Sequence, residues 1–385
     1  MVIGNFKVGV FIKKIDFFIL CLQGFCIAFN VGSISAIVPA IAKDFGVSEF
    51  VVGRINWAYM LPYGFLALLY GPLTRRFDNK HIAVASLVLF SCFNFLSALA
   101  PNHVALFVFR FLVGIFAAAT TPLVLIYIAD RAHEARRGKA IGFFFSATFV
   151  ADLSGLFLSG LVPWRAMFFI PGVFGLVVAG LTAWHFPHTL AGKTDTRSRY
   201  LEAFREPAIL KAFVYIFFVS MLYQGVRQWL GVYFSLHLKM SQLFISMTLA
   251  ATSLAGIFGE AFGGLHADKK GRVPTLKAGI FLMSLAALLL IFVKSALGVV
   301  LLMLALGFGW TVNHAGLSTF LTDLDKRFMK EISSLNSSVR FVAGGLGVVV
   351  AGWLMQKSFT LGFFVYGSLF LLMFLGTEKI LLKRV

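Results

Sequence analysis

The chain has 385 residues, 59% of them hydrophobic and only 13% charged, with a formal net charge of +18. Soluble domains carry about 25% charged residues, so a water-soluble globule is excluded and lipid must be the solvent. The charge does not mark a nucleic-acid binder either. The basic residues crowd into short loops between apolar runs, as the positive-inside rule predicts for a membrane protein.

Lys7, Lys13 and Lys14 precede the first apolar run in the manner of a signal peptide. So many runs follow that it reads as a retained first helix. A hydrocarbon core needs about 20 apolar residues per helix, and about twelve segments reach that length. The first half gives 15–38, 50–72, 82–100, 104–127, 139–161 and 166–186. The second gives 209–236, 242–265, 275–293, 297–321, 333–355 and 359–377. Pro39, Pro101-Asn102, Pro163 and Pro187 are expected to mark ends.

Basic residues alternate between the two sets of loops. One set holds Arg75, Arg76 and Lys80, then Arg131, Arg136, Arg137 and Lys139, and continues with Lys193, Arg197, Lys269, Lys270, Arg272, Lys326, Arg327 and Lys330. The other holds only Lys43, Arg54, Arg165, Lys239, Lys294 and Lys357. This asymmetry puts both termini in the cytoplasm and demands an even number of spans. The organisation expected is a bundle over 1–190, a cytoplasmic linker over 191–208 and a second bundle over 209–385. Within the linker, Tyr200-Leu201-Glu202-Ala203-Phe204 reads equally as a short interfacial helix or a flexible loop. Cys21, Cys26 and Cys92 fall in apolar runs without disulfide or metal spacing, as small core residues would.

The two halves are related. Gly264-Leu265-His266-Ala267-Asp268-Lys269-Lys270-Gly271-Arg272 has an altered copy at Gly71-Pro72-Leu73-Thr74-Arg75-Arg76-Phe77-Asp78-Asn79-Lys80, and 264 − 71 = 193, about half the chain. Offsets of 192–193 also match Gly32 to Gly225, Ser48 to Ser241, Gly114 to Gly307, Ala151 to Ala343 and Gly160 to Gly352. Small residues recurring at equivalent places are what close helix packing in lipid needs. A repeat at this period indicates two related bundles, a build found in secondary transporters.

Gly264 to Arg272 resembles the loop signature of the major facilitator superfamily, Gly-x-Leu-Ala-Asp-Arg-x-Gly-Arg, with His266 in the Leu place. Arg110, Gly114 and Pro122 resemble its fourth helix, and Arg137 to Gly142 resembles the entry to its fifth. Trp164 to Phe169 resembles the entry to its sixth, and Leu335 to Gly347 its eleventh. Gly142, Ala151, Gly155, Leu156, Ser159 and Gly160 resemble the fifth-helix pattern of the drug/proton antiporter branch, without its Pro. The first loop departs from the family. Arg75 stands at its Asp, thought to latch the cytoplasmic gate, and Asp78 stands at a Gly; Asp268 keeps the matching place in the second loop. The resemblance implies an all-α membrane protein of the major facilitator fold, with about twelve helices in two pseudo-symmetric six-helix bundles. Gly71, Arg75, Arg76, Asp78, Gly264, Asp268, Lys269, Gly271 and Arg272 would then form the gating loops.

Ionisable residues inside a membrane default to functional hypotheses. Here they are Arg110, Asp152, Arg227, Glu260, His314 and Arg340, on the fourth, fifth, seventh, eighth, tenth and eleventh helices. By resemblance these helices line the central cavity. At about 1.5 Å rise per residue, Glu260, His314 and Arg340 lie roughly 9–12 Å from the cytoplasmic ends; the other three lie in the outer half. Arg110–Asp152 and Glu260–Arg340 read either as structural ion pairs or as coupling elements. For proton coupling, Glu260 is the first choice of carrier, His314 the second and Asp152 the third, because a carboxylate in low dielectric holds a proton to higher pH and histidine titrates near neutrality. Arg340 would stabilise deprotonated Glu260.

Expected substrate contacts are Tyr223, Gln224 and Arg227, on neighbouring turns of one helix face, together with Arg110, Asp152 and Arg340. Asn30, Tyr59, Tyr63, Trp310 and Asn313 either join them or pack the core. Three Arg against two carboxylates favour an anionic or zwitterionic substrate. No phosphate loop, nucleophile elbow or zinc motif is present, so neither an enzyme nor a metal or other cofactor is expected; the proton gradient would be the energy source. The expectation is a functional monomer in a bacterial inner membrane that moves a small organic compound by alternating access. Proton-coupled export leads. Uptake of an organic anion by symport or uniport is the alternative, and an uncoupled lipid mover or receptor is a further class.

Overall fold

The structure, a computed structural model, describes residues 13–74, 76–132, 134–188 and 199–382. It is all-helical among these residues. The first half holds α1 (Lys14–Gly32), α2 (Ile34–Phe45), α3 (Glu49–Val52), α4 (Arg54–Leu73), α5 (Asn79–Ala98), α6 (His103–Ala117), α7 (Thr120–Arg131), α8 (Glu134–Ser159) and α9 (Ala166–His185). The second holds α10 (Tyr200–Arg205), α11 (Pro207–Arg227), α12 (Leu230–Leu236), α13 (Gln242–Lys270), α14 (Arg272–Leu289), α15 (Ala296–Thr322), α16 (Met329–Lys357) and α17 (Phe359–Leu382).

Eleven stretches among the described residues are long and apolar enough to cross a membrane. Two of them join short helices: α6 with α7 over His103–Ile128, and α11 with α12 over Pro207–Leu236. The twelfth expected span corresponds to α4, which packs between α6 and α16 and carries Arg54, Asn56, Pro62 and Pro72 along its length. Pro39 does not mark an end as expected. The first span breaks earlier, at Ser33, and Pro39 lies inside α2. Proline leaves one upstream carbonyl without its helical donor, and the Ser35 carbonyl packs against Gly231 of α12 instead. Polar caps start several helices as local chemistry dictates: among them, Asp78 accepts from Lys80 N–H (2.9 Å) at α5, and Asn102 accepts from Ala105 N–H (2.9 Å) at α6. Gly271, at φ +97, turns α13 into α14 with a backbone that side-chain-bearing residues rarely adopt.

Each half packs as its own bundle. In the first, α1 lies on α8 and α9, and α5 on α6 and α9; in the second, α13 and α14 lie on α15, and α11 on α16. The repeat is visible atom by atom. A Cβ at Gly114 would strike the Tyr59 carbonyl, and one at Gly307 the Thr252 carbonyl; 307 − 114 = 193 and 252 − 59 = 193. A Cβ at Gly155 would strike the Phe29 carbonyl, and one at Gly347 the Met221 carbonyl; 347 − 155 = 192 and 221 − 29 = 192. The same two backbone-close crossings are therefore built twice, with glycine where only hydrogen fits. The expected short helix between the halves is present as α10, held by Ala203, which is buried, and by Phe204 edge-on to Phe213 (5.9 Å). Residues 191–198 of the expected linker lie outside the described residues. Cys26 is buried, Cys21 is half-buried and Cys92 is exposed on the helix surface, so only the first fits the expectation of a core residue.

The halves meet along α2–α12, α2–α13, α4–α16 and α8–α13. Their tightest contacts gather at the face opposite the basic loops. There Phe50 stacks on Trp229 (5.1 Å), and Gln242 Nε2 donates to the Ala36 carbonyl (3.0 Å) and to the Ser159 carbonyl (3.3 Å). Ser159 also bonds Ser246 (2.9 Å). On the basic face the loops pair within their own half: Arg272 with Asp268 (2.7 Å) and Asp323 (3.0 Å), and Lys277 with Glu378 (2.7 Å). One end of the seam is thus sealed.

Candidate functional site

Below that seal, at mid-membrane, the two halves enclose a cavity of about 230 Å³. One ordered water needs only about 10–15 Å³ of such space. Its walls come from both halves. Phe145 and Phe149 of α8 face Tyr223 of α11, Trp310 of α15 and Phe341 of α16, with Tyr63 of α4 beside them. Tyr223 and Trp310 lie almost parallel, with centroids 3.9 Å apart at 6°. Tyr63 stacks on Phe341 across the seam (3.8 Å) and shares a hydrogen bond with Thr121 (3.0 Å). Such rings offer flat apolar faces with few rotors.

One charged pair stands in this aromatic wall. Arg227 Nη2 donates to Asp152 Oδ2 at 2.7 Å, and the Ser253 hydroxyl donates to the same oxygen. Asp152 belongs to the first half, Arg227 and Ser253 to the second. The pair therefore bridges the two halves. Arg227 is nearly enclosed at 7% exposure, while Asp152 keeps 22%. Local sequence explains the reach. Gly155, one turn on, brings α8 onto α1, and Gly32 leaves room for the Asp152 carboxylate.

The sequence suggested that Asp152 could pair with Arg110; the structure pairs it with Arg227. Arg110, 1% exposed, donates through Nη1 to Asn30 Oδ1 (2.6 Å) and lies over the Tyr59 and Phe168 rings at 4.7 and 5.4 Å. Asn30 in turn donates to Asn94 (2.6 Å). The physical reason is place: Arg110 points into the packed interior of the first bundle, and Asp152 points out of it toward the second.

The expected Glu260–Arg340 pair is also replaced. Glu260 of α13 meets His314 of α15, with Nδ1 3.0 and 3.2 Å from its two oxygens. Gly259 and Gly263 let these two parallel helices touch, so the acid reaches its neighbour across the closest seam. Arg340 of α16 is held one turn back, donating to Asn336 Oδ1 (2.8 Å), with its guanidinium 5.7 Å from the Trp310 ring. Trp310 thus links the charged cluster to the cavity wall, its ring 6.3 Å from His314.

Of the expected substrate contacts, Tyr63, Asp152, Tyr223, Gln224, Arg227 and Trp310 line the cavity. Asn30, Tyr59, Arg110, Asn313 and Arg340 are not part of its lining. Asn313 instead donates to Tyr215 Oη (2.6 Å) and the Leu276 carbonyl (3.0 Å), tying α15 to α11 and α14. Sequence reasoning passed over Ser253, Phe145, Phe149 and Phe341. In a chain with 45 Phe no local signal separates a cavity ring from a lipid-facing one.

Among the expected gating residues, Arg75 lies outside the described residues. Gly71 is in the last turn of α4 and Arg76 is exposed. Gly264 is helical, Lys269 and Asp268 are exposed at the end of α13, and Gly271 and Arg272 turn the chain into α14. In the following basic-face loop, Asp325 accepts from Arg327 Nε and Nη2 (2.8 and 2.5 Å). These hydrogen bonds hold its carboxyl below the ordinary value.

A family model described as Major Facilitator Superfamily matches residues 20–348. The Bacillus subtilis (strain 168) protein named "Uncharacterized MFS-type transporter YceJ" is 25% identical over 352 residues, covering 87% of this chain and 88% of its own length. The 4-hydroxybenzoate transporter PcaK of Pseudomonas aeruginosa is 27% identical over 177 residues, covering 45% of this chain and 39% of its own. A solved D-xylose-proton symporter superposes with a TM-score of 0.77 at 16% identity, covering 94% of this chain and 97% of that one, which is a likeness of fold.

Proposed function

Because the chain belongs to the major facilitator superfamily, and is a membrane transporter of a small compound rather than an enzyme, we propose that it carries an organic anion together with a proton. By the positive-inside rule the basic face is cytoplasmic, both termini lie there, and the membrane is a bacterial inner membrane. The sealed end is then the outer one, and the cavity belongs to an inward-facing state. The two bundles rock about the site between them. The working unit is a monomer, needs no cofactor and draws on the proton gradient.

The observation that carries this reading is the Asp152–Arg227 pair in the cavity wall. An anionic substrate takes over Arg227, because a guanidinium fork binds carboxylate or phosphate well. Asp152 is then left without its counter-ion in a wall of low dielectric, and a proton neutralises it. Anion and proton therefore favour each other's binding, which is the thermodynamic definition of coupling between sites and yields symport. The aromatic walls suit an apolar or aromatic body. An aromatic carboxylate of the kind PcaK is named for has both parts. Glu260 and His314, between the cavity and the basic face, are the carriers that pass the proton on.

Export is the second reading. It is favoured by the fifth-helix resemblance and by the greater exposure of Asp152 than of Arg227. A cationic substrate that took Asp152 would compete with a proton and give exchange.

One experiment separates these readings. Proteoliposomes loaded with a pH dye receive benzoate-type acids or matched aromatic amines from outside, with wild type and Glu260→Gln side by side. Symport acidifies the lumen as acid enters, beyond the shift seen in protein-free vesicles; exchange makes it alkaline as amine enters. Loss of either signal in Glu260→Gln supports Glu260 as carrier, and full retention removes it from that role. Substrate movement without any pH change overturns coupling.

A further inference from the structure

We propose that Asp78, His81 and His188 form a site for a divalent transition-metal ion of the Zn²⁺ type on the basic face of the first bundle. The site is remote from the cavity and does not depend on the transport reading. Asp78 is one of two residues that depart from the family loop, and its position at the start of α5 gives it two tasks. Its Oδ1 caps the helix at Lys80 N–H. Its Oδ2 lies 2.6 Å from His188 Nδ1 and 3.9 Å from His81 Nδ1. One ligand atom from each of the three residues falls within 4.8 Å of the other two.

A tetrahedral ion with ligands at about 2.0–2.1 Å needs ligand atoms roughly 3.3 Å apart. Relative to Asp78, His188 must therefore retreat, and His81 approach, by less than about 1 Å, while the two imidazole nitrogens, within 4.8 Å of each other, close to the same spacing. Both can do so by small rotations, since their side chains are 60% and 72% exposed. Their rings already meet edge-on, with centroids 5.2 Å apart. Three protein ligands leave a fourth position for water.

Two imidazoles and one carboxylate select Zn²⁺, Ni²⁺ or Cu²⁺ over Mg²⁺ or Ca²⁺, which want oxygen ligands. Arg76 and Lys80 in the same loop further disfavour a weakly held hard cation. No motif announces the site, because His81 and His188 are 188 − 81 = 107 residues apart. His188 is the last described residue before 189–198, and that stretch leads to the second half. A bound ion would fasten the exit of α9 to the loop between α4 and α5.

The test uses the full-length protein in detergent with any histidine tag removed. Co²⁺ is titrated while visible absorbance is followed, and Zn²⁺ is titrated by calorimetry. The expected result is one equivalent per chain, with the intense visible bands of four-coordinate Co²⁺ bleached by Zn²⁺ and with no response to Mg²⁺. His81→Ala, His188→Ala and Asp78→Asn should each weaken binding about tenfold or more, within the range found when metal-site residues are lost. Asparagine keeps the helix cap, so Asp78→Asn separates ligation from folding, and an unchanged gel-filtration profile verifies the fold. Absence of stoichiometric binding overturns the proposal, leaving a His–Asp hydrogen bond only. So does binding that survives both histidine substitutions, which would place the ion elsewhere.

Discussion

The two ends of the seam between the halves are built differently. At the sealed end, glycine backbone presses directly on the other half: Gly231 against the Ser35 carbonyl, Gly53 under the Trp229 ring, Gly160 against the Ser246 side chain. At the basic-face end, charged loops satisfy one another within their own half, as Arg272 does with Asp268 and Asp323. The first kind of contact has no intermediate state, because close-packed surfaces either fit or part. The second kind can be re-paired at little cost, since exposed ion pairs are worth about 0–1 kcal/mol. On the proposed reading, the protein switches by breaking a tight seal, with adaptable charges free to form new links on the other side.

Substitutions at the sealed end should therefore have the largest effects. Gly231→Val places a side chain where the Ser35 carbonyl sits, and the outer end cannot close. The expected outcome is about a tenfold or greater loss of substrate flux, equivalent to at least about 1.4 kcal/mol on the cycle. In a background with Cys21, Cys26 and Cys92 replaced by Ala, a single cysteine at Val52, fully buried at that end, should become open to a membrane-impermeant maleimide. Next comes the bridge at mid-seam. Arg227→Ala leaves the Asp152 carboxylate without its cation, with the Ser253 hydroxyl as its remaining partner. Removing one member of a fully buried pair costs about 3–5 kcal/mol, and the 22% exposure of Asp152 puts the loss at or below the low end. Adding Asp152→Asn should restore thermal stability in detergent while flux stays lost. A double-mutant cycle that showed simple additivity would mean that the two groups are not coupled.

The fold and its repeat were legible in the sequence because both rest on patterns the membrane enforces: apolar runs of fixed length, basic loops on one side and small residues at equal spacing. Gly114 and Gly307 could be matched by arithmetic, and their carbonyl contacts then obey the same arithmetic. The pairing of charges was not legible. Depth placed Asp152 near Arg110, and Glu260 near Arg340, but depth does not say which face of a helix a side chain leaves from. That depends on where Gly155, Gly259 and Gly263 let neighbouring helices touch. Asn313 was offered as a substrate contact on residue type alone, and the same amide chemistry serves to tie three helices together. The stack of Tyr223 on Trp310 involves residues 87 positions apart (310 − 223), beyond the reach of any local rule.

The remaining predictions sharpen the contrast at its weaker points. Gln242→Ala removes hydrogen bonds from one side chain to Ala36, Ser159 and Ser246, but no backbone contact. The three share one amide group, so the net loss is about that of one ordinary hydrogen bond, about 0.7–1.4 kcal/mol; it should raise maleimide access to a cysteine at position 52 by roughly three- to tenfold and slow flux less than Gly231→Val does. The smallest effect belongs to Asp268→Asn. Asp268 is 68% exposed and its partner Arg272 retains Asp323, so access at position 52 should change by less than about twofold. That small number carries weight. Asp268 sits in the loop whose family counterpart is thought to latch the basic face, and in this structure it is bound within its own half. A large rise in outer accessibility would mean that loss of this one carboxylate had changed the balance between the two states. A large fall would mean that Asp268 normally leaves Arg272 to hold the basic face shut when the outer end opens. Either result would move the loop from the adaptable side of the comparison to the gating side.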